Sequence, residues 1–430
     1  MAANNKKSQF LIFKFFRYVF YFLFLIFYFA KMLILGIDTS CDDTSVSVVK
    51  DGREVLANVI FSQNDLHQMT GGVVPEVAAR EHTLKIIPAL EKALKEAGVD
   101  WSKIDAIAVT RGPGLMGSLL VGTVTASILS LVLNKPLIPV QHIVGHIYSN
   151  WLEGQRANGK EQMAKSKWQR DFEFPIVILT VSGGHNELVL MRDHHNFKVI
   201  GETLDDAAGE AFDKVARILG LGYPGGPAIF QASAGKITQD LHFPRAWLEN
   251  SLNFSFSGLK THIKYLVDKH GARGLKDQQF VRNVAYSFQE AVASVLAKKL
   301  IQAAMKYKVK VIHLAGGVAA NLRLRQMIAE KATQINLPFF CPVSLKYCTD
   351  NAAMIAAAGY FWWQKRNLPQ PQHQTVHGKS LLGKKGSDHL PLSLLGKEGS
   401  NNPSLSPLTK GGGQGGWKNV LASTSWELGD

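Results

Sequence analysis

Residues 32–52 read MLILGIDTSCDDTSVSVVKDG, and residues 174–191 read FPIVILTVSGGHNELVLM. Each is an apolar run, a short polar or glycine turn, and a second apolar run, which predicts two adjacent strands. Asp51-Gly52 closes the first unit as a hairpin turn, because both residue types tolerate positive φ. A chain that opens both halves with the same unit is expected to be an α/β protein with two related lobes. Around the first unit, PEVAAREHTLKIIPALEKALKEAG (75–98) has helical periodicity, with Pro in its first turn and Gly at its end. IDAIAVT (104–110) reads as a buried strand and runs into RGPGLMGSLLVGTVTASILSLVL (111–133), a Gly-rich loop opening an apolar helix. KPLIPV (135–140) is a further strand, and a helix follows to about Trp151. Beyond the second unit, VKVIHLAGGVAANLRLRQMIAEKA (309–332) reads as strand, Gly-Gly turn and helix.

At 430 residues the chain exceeds one typical domain. The expected division is a leader (1–31), an N-terminal lobe (32–152), a basic insert (153–171), a C-terminal lobe (172–366) and a disordered tail (367–430). In the leader, FLIFKFFRYVFYFLFLIFYFA (10–30), Phe and Tyr fill 12 of 21 positions. Lys14 and Arg17 interrupt it and leave 13 uninterrupted apolar residues, short of a comfortable bilayer span. Met32, immediately before LILGID, is the expected start of the folded protein. In the tail SLLGKKGS (380–387) recurs as SLLGKEGS (393–400) and GGGQGG follows, a composition that buries too little apolar surface to offset chain entropy.

Lys and Arg outnumber Asp and Glu, 48 to 34, giving a net charge of +14 that favours anionic partners such as nucleic acid. The 3 cysteines, Cys41, Cys341 and Cys348, form no CxxC pair and suit a reducing compartment. The glycine turns after strands let backbone N–H groups approach phosphate without a Cβ in the way, and two α/β halves carrying them point to nucleotide binding. GxxxxGK[ST] is absent, which excludes a P-loop enzyme. No strand-GxGxxG-helix with a downstream acid occurs, which argues against a Rossmann dinucleotide site.

QHIVGHI (141–147) sets His142 and His146 four residues apart, on one helical face, where both can reach one metal ion. Core or capping histidines would have the same spacing. A metalloprotease of the HExxH type would need a glutamate directly after the first histidine, where this chain has Ile143. Asp350 is one candidate third ligand, but an Asp just before an Ala-rich helix is by default an N-cap.

The ordered run GIDTSCDDTSVSVV, GGVVPEVAAREH, RGPGLMGSLLVG, PLIPVQHIVGHIYS, VSGGHNELVL, LDDAAGEAFDKVARILGLGYPGGP, FSFSGLKT, LAGGVAANLRLR and CTDNAAMIAAAG resembles the tRNA N6-adenosine threonylcarbamoyltransferase family, formerly described as O-sialoglycoprotein endopeptidases. The resemblance covers about Met32 to Gly359. It implies a two-lobed actin-like and sugar-kinase-like ATPase fold, with ligand in the cleft between the lobes. The activity it implies is transfer of threonylcarbamoyl from threonylcarbamoyl-AMP to N6 of the adenosine 3′-adjacent to the anticodon, in tRNAs reading ANN codons. The implied metal ligands are His142, His146 and Asp350, holding iron or zinc. The implied adenylate-binding positions are Thr180, Val181, Ser182, Gly183, Gly184, Asp213, Gly226 and Asn321.

Asp43, in the SCDD turn, is the candidate for orienting or deprotonating the attacking amine; a turn acid bonding its own backbone is the plainer alternative. The family usually reads IETSCDET where this chain has IDTSCDDT, so Asp38 and Asp43 are each one methylene shorter. Gln141 and Val144 stand where the family often has a more acidic form, and Arg111 adds a positive charge beside the Gly-Pro-Gly loop. Expected partners are tRNA, an inactive paralogue subunit and a small ATPase subunit, in the cytoplasm and without stable membrane association. Lys160, Lys165, Lys167 and Arg170 in the insert are candidate tRNA contacts. The rival readings are a metal-dependent endopeptidase, a non-catalytic nucleotide-binding component of a complex, and a small-molecule kinase.

Overall fold

A computed structural model describes residues 31–70, 72–153, 172–248 and 251–367. The expectations for the Phe-rich leader, the basic insert with its four cations and the C-terminal tail fall on 1–30, 154–171 and 368–430, outside the described residues.

The two quoted units form the hairpins predicted for them. β1 (Leu33–Asp38) pairs antiparallel with β2 (Asp43–Lys50), and β2 pairs with β3 (Glu54–Ser62). Asp51 and Gly52 both take positive φ between the last two. In the second unit β6 (Ile176–Val181) pairs with β7 (Asn186–Asp193), and β7 with β8 (Asn196–Glu202). β4 (Ala106–Gly112) and β5 (Leu137–Gln141) extend the first sheet in parallel, as β9 (Val311–Ala315) and β10 (Phe339–Phe340) extend the second. The sheet orders are β3-β2-β1-β4-β5 and β10-β9-β6-β7-β8, one topology used twice.

Helices lie on both faces of both sheets. On the outer face of the first are α2 (Pro75–Ala97) and α3 (Met116–Leu133), packed on Leu35, Ile37, Val46, Val48, Ile107 and Val109; the short α1 (Asn64–Gln68) precedes them. As its sequence requires, α2 starts on Pro75 and ends on Gly98, which takes φ 65°. Between the two sheets lie α4 (His142–Tyr148) and α10 (Ala352–Asn367). Outside the second sheet are α5 (Ala208–Ile218), α6 (Gly225–Ala232), α7 (Ser257–Lys276), α8 (Gln278–Tyr307) and α9 (Leu322–Gln334). β1, β4 and β6 are covered on both faces, so they read as continuous apolar runs rather than alternating ones.

The central layer positions the site. Strand alternation sends Leu35 and Ile37 outward, and Ile34, Gly36 and Asp38 toward α10 and α4. Any Cβ at Gly36 would overlap the Ala352 carbonyl, so the first turn of α10 lies directly on β1. The Ser45 hydroxyl of β2 accepts from Ala352 N at 2.8 Å, satisfying a free donor at the start of α10. α10 follows the second sheet in sequence yet packs on the first, and it draws the two halves together around Tyr148, Trp151 and Phe361. Aromatic pairs of this kind are each worth about 0.5–1.5 kcal/mol beyond their buried area.

Candidate metal and nucleotide site

α4 starts immediately after β5. Gln141, the last strand residue, caps the helix by accepting from Val144 N at 3.1 Å, so the residue at this departure from the family's pattern has a structural task. His142 and His146 are one turn apart, with ring centroids 4.7 Å apart and planes at 80°. Gly145 lies between them inside the helix. A Cβ there would come within 2.7 Å of Ile355 Cδ1 and 3.2 Å of Met354 Cγ, so this glycine lets α4 close on α10.

That approach brings up Asp350. Its Oδ1 is 3.3 Å from His142 Nε2 and 3.3 Å from His146 Nε2. The default N-cap reading does not hold for Asp350: Asn351 caps α10 instead, its Oδ1 accepting from Met354 N at 3.1 Å. With the cap supplied next door, the Asp350 carboxylate is left to the histidines. Donor atoms of the three residues all lie within 4.8 Å of one another. Neither ring nitrogen of His146 makes a directed hydrogen bond, although both are buried. Two imidazoles and a carboxylate converging, with buried imidazole nitrogens unsatisfied, fit a divalent metal ion with open coordination positions.

The electrostatics agree with such a pocket. Burial opposes charge on Asp350, but the imidazoles of His142 and His146 outweigh it and hold the carboxyl well below the usual range. Burial also works against a charged His142, yet Asp350 and Asp38 raise it to about 9. His146 is pushed down, by burial first. Without an ion, a proton on His142 therefore balances the carboxylates.

The Thr39–Asp42 turn after β1 forms the neighbouring wall, and it is packed. Leu115 N donates to Ser40 O at 2.8 Å, and the Ser118 hydroxyl to Cys41 O at 3.1 Å. Cβ atoms at Gly114 and Gly122 would overlap the Ser40 carbonyl and the Thr39 hydroxyl. Gly114 and Gly122 are thus needed for close packing on this turn. His82 of α2 pins the turn, with Nδ1 2.7 Å from Thr44 Oγ1 and Nε2 3.0 Å from Cys41 O. The Cys41 thiol is pushed far up by burial and then by Asp42 and Asp350, which removes it as a nucleophile. Burial raises Asp43 to about 7; the Ser62 hydroxyl opposes the rise and the neighbouring carboxylates add to it.

The second hairpin turn is held on one side by the start of α5, where Gly209 N and Glu210 N donate to Ser182 O and Gly183 O at 3.3 and 3.0 Å, and is open on the other. Cβ atoms at Gly183 and Gly184 would meet nothing within 4 Å. Ser182 N donates to His185 O at 2.8 Å, and Ser182 Oγ accepts from His185 N at 3.3 Å, which leaves the loop's glycine amides for an incoming anion. Thr180 is buried on the central face with its hydroxyl on Glu187 O, and the Val181 side chain is in the second core, so only the backbone of Val181 is available to a ligand. Asp213 of α5 accepts from Gly225 N at 2.7 Å, and burial raises its carboxyl. Next to it Gly226 faces open space. Asn321 does cap α9, accepting from Leu324 N at 3.0 Å, while its Nδ2 donates to Gln289 Oε1 at 3.0 Å.

Two cleft residues escaped the sequence reading. His185 is lowered by burial and by the fields of His142 and His146, so a neutral imidazole stands beside the metal pocket. Tyr223 is raised to about 12 by burial, then by Asp42 of one wall and Asp213 of the other. Its phenol feels both sides of the cleft. The position of His185, directly after the glycine pair, was the only available signal for it.

A family model for tRNA N6-adenosine threonylcarbamoyltransferase matches residues 54–357. A relative of that description from Thermomicrobium roseum is 49% identical over 356 residues, covering 78% of this chain and 93% of the relative. One from Dehalococcoides mccartyi is 50% identical over 331 residues, covering 77% and 93%. Among solved structures, HypF of T. kodakarensis is similar in fold, with a TM-score of 0.51 at 14% identity over 78% of this chain and 48% of that one. The architecture is the two-lobed actin-like and sugar-kinase-like α/β fold.

Proposed function

The chain belongs to the tRNA N6-adenosine threonylcarbamoyltransferase family, and we propose that its cleft moves the threonylcarbamoyl group of threonylcarbamoyl-AMP onto N6 of the adenosine 3′-adjacent to the anticodon in tRNAs reading ANN codons. The observation that carries this reading is the convergence of His142, His146 and Asp350 beside an open glycine turn.

The amides of Gly183 and Gly184 hold an oxyanion of the adenylate. Asp213 accepts from its ribose, Gly226 admits the nucleoside, and Asn321 adds one polar contact beyond its capping duty. His142, His146 and Asp350 hold a metal ion, for which we propose iron with zinc as the alternative, since two imidazoles and one carboxylate suit either. When bound, the ion supplies Lewis-acid stabilisation of negative charge on oxygen. The adenosine N6 lone pair attacks the carbamoyl carbon, the bond from that carbon to the phosphate oxygen breaks, and AMP leaves. The proton lost from N6 goes to the Asp43 carboxylate, whose rise to about 7 suits a base at neutral pH.

The substrate is tRNA, and the excess of Lys and Arg supports its salt-dependent binding. An inactive paralogue and a small ATPase are the proposed protein partners, in the cytoplasm. In support of a protein contact, Met116, Leu120, Val124 and Ile128 leave an apolar stripe exposed along α3. By length and composition α3 could also cross a membrane, but on its inner face Ala126 is buried in the first core and Leu119 is fully buried.

The test is nucleoside mass spectrometry on tRNA reading ANN codons, incubated with the full chain, threonylcarbamoyl-AMP and the partner proteins, beside a His146→Ala control. Threonylcarbamoyladenosine is expected with the unmutated chain and at least about 100-fold less with the variant. No modified nucleoside from folded, metal-loaded protein would overturn the reading.

A further inference from the structure

Asp38 ends β1 on the central face, 1% exposed. Its Oδ1 accepts from Ser40 N at 3.1 Å, an ordinary turn bond. Its Oδ2 is buried without a hydrogen bond, and so is Nδ1 of His142. These two atoms face each other at 3.7 Å. Among the described residues no Lys or Arg forms an ion pair or hydrogen bond with Asp38, so the His142 ring is what faces its free oxygen.

The two edges of the His142 ring are thus assigned to different acids. Nε2 faces Asp350 and the metal pocket, while Nδ1 faces Asp38. Because the Nδ1 edge points away from Nε2, Asp38 is unsuited to bind the same ion. Its place is behind the ligand, where a carboxylate fixes the tautomer, orients the ring and raises the basicity of the metal-binding nitrogen.

We infer that Asp38 is a positioning residue that holds His142 with its proton on Nδ1 and its Nε2 turned to the metal. This rests on the metal reading above. The 3.7 Å separation exceeds the 2.7–3.2 Å of a formed N–H···O bond by about half an ångström or more, so the contact is incomplete at this side-chain length. A longer carboxylate closes the gap.

The test is Zn2+ affinity of the full chain, by competition with a chromophoric chelator, and the ligand-field spectrum of the Co2+ form, for wild type, Asp38→Asn and Asp38→Glu. Asn keeps the acceptor that Ser40 uses, and the melting temperature of each metal-free variant checks the fold. Expected is an affinity loss of about 10–100-fold in Asp38→Asn, a shifted Co2+ spectrum, and recovery to at least wild-type affinity in Asp38→Glu. Equal affinities and identical spectra for wild type and Asp38→Asn would overturn the positioning role alone. A wild-type chain that binds neither ion would overturn the metal reading itself, and the role of Asp38 with it.

Discussion

The turn after β1 and the turn after β6 occupy the same place in two sheets of one topology, yet they are finished differently. The first is filled. Thr39 and Ser40 press on Gly122 and Gly114, His82 holds Cys41 and Thr44, and the side chains left over are carboxylates: Asp38, Asp42 and Asp43. The second is packed on one side, where Gly209 of α5 lies against Ser182 and Gly183, and open on the other, in front of the Cβ positions of Gly183 and Gly184. Burial raises Asp38 and Asp43, so the first turn can hold or move protons, whereas the glycine backbone of the second is suited to binding. One supersecondary unit has therefore been specialised twice, by what packs against it.

The largest effect is expected from the acidic wall. If Asp43 takes the N6 proton, it must be charged, so single-turnover transfer rises as pH climbs through about 7 and levels off above it. Asp43→Asn should remove that rise and lower the plateau by about 100-fold, while threonylcarbamoyl-AMP binding changes less than twofold. A variant that keeps the wild-type pH profile would return Asp43 to the role of turn acid, and the two hairpins would then differ in packing only.

How much of this contrast could be read beforehand depends on the range of the interactions involved. The paired strands, the Pro75-to-Gly98 helix and the i, i+4 histidines rest on short-range rules of period and capping, and the letters carried them. The duty of Asp350 was ambiguous because it turned on its neighbour: only with Asn351 seen as the cap is Asp350 released to meet residues some two hundred positions earlier. The glycines were the least legible. Gly114, Gly183 and Gly316 look alike in sequence, but the first is pressed on a carbonyl, the second is open, and the third combines φ 88° with a Cβ position that overlaps Val181 O. His185 and Tyr223 join the cleft through burial and through fields from several elements, for which no local pattern exists.

The glycines also give the next test. Gly184 has no positive φ and open space at its Cβ position, so Gly184→Val should leave the melting temperature within about 1 °C yet weaken adenylate binding at least about 10-fold, since the new side chain fills the ligand's place. Gly316→Ala should do the reverse in kind, costing about 1–3 kcal/mol of stability through its left-handed backbone and the Val181 carbonyl. Calorimetric titration with the adenylate and thermal unfolding of both variants separate the cases. Should Gly184→Val bind as well as wild type, the open turn would not be the anion site.

The smallest effect sharpens the comparison from the other hairpin. Glu187 faces the central layer from β7, as Asp43 does from β2, and burial followed by repulsion from Glu202 raises it to about 7. Its Oε2 is buried without a hydrogen bond. The unfolded chain releases this proton near pH 4.5 and the folded chain only near 7, so over that window the folded state binds more protons and stability falls as pH rises. Above pH 7 the full penalty is present. Glu187→Gln should therefore raise the melting temperature by about 2–4 °C at pH 8 and leave it unchanged at pH 4.5. Transfer activity should stay within about twofold, because no step assigned to the open hairpin needs a base. A loss of activity comparable to that of Asp43→Asn would mean that both turns handle protons, and the division of labour between them would be wrong.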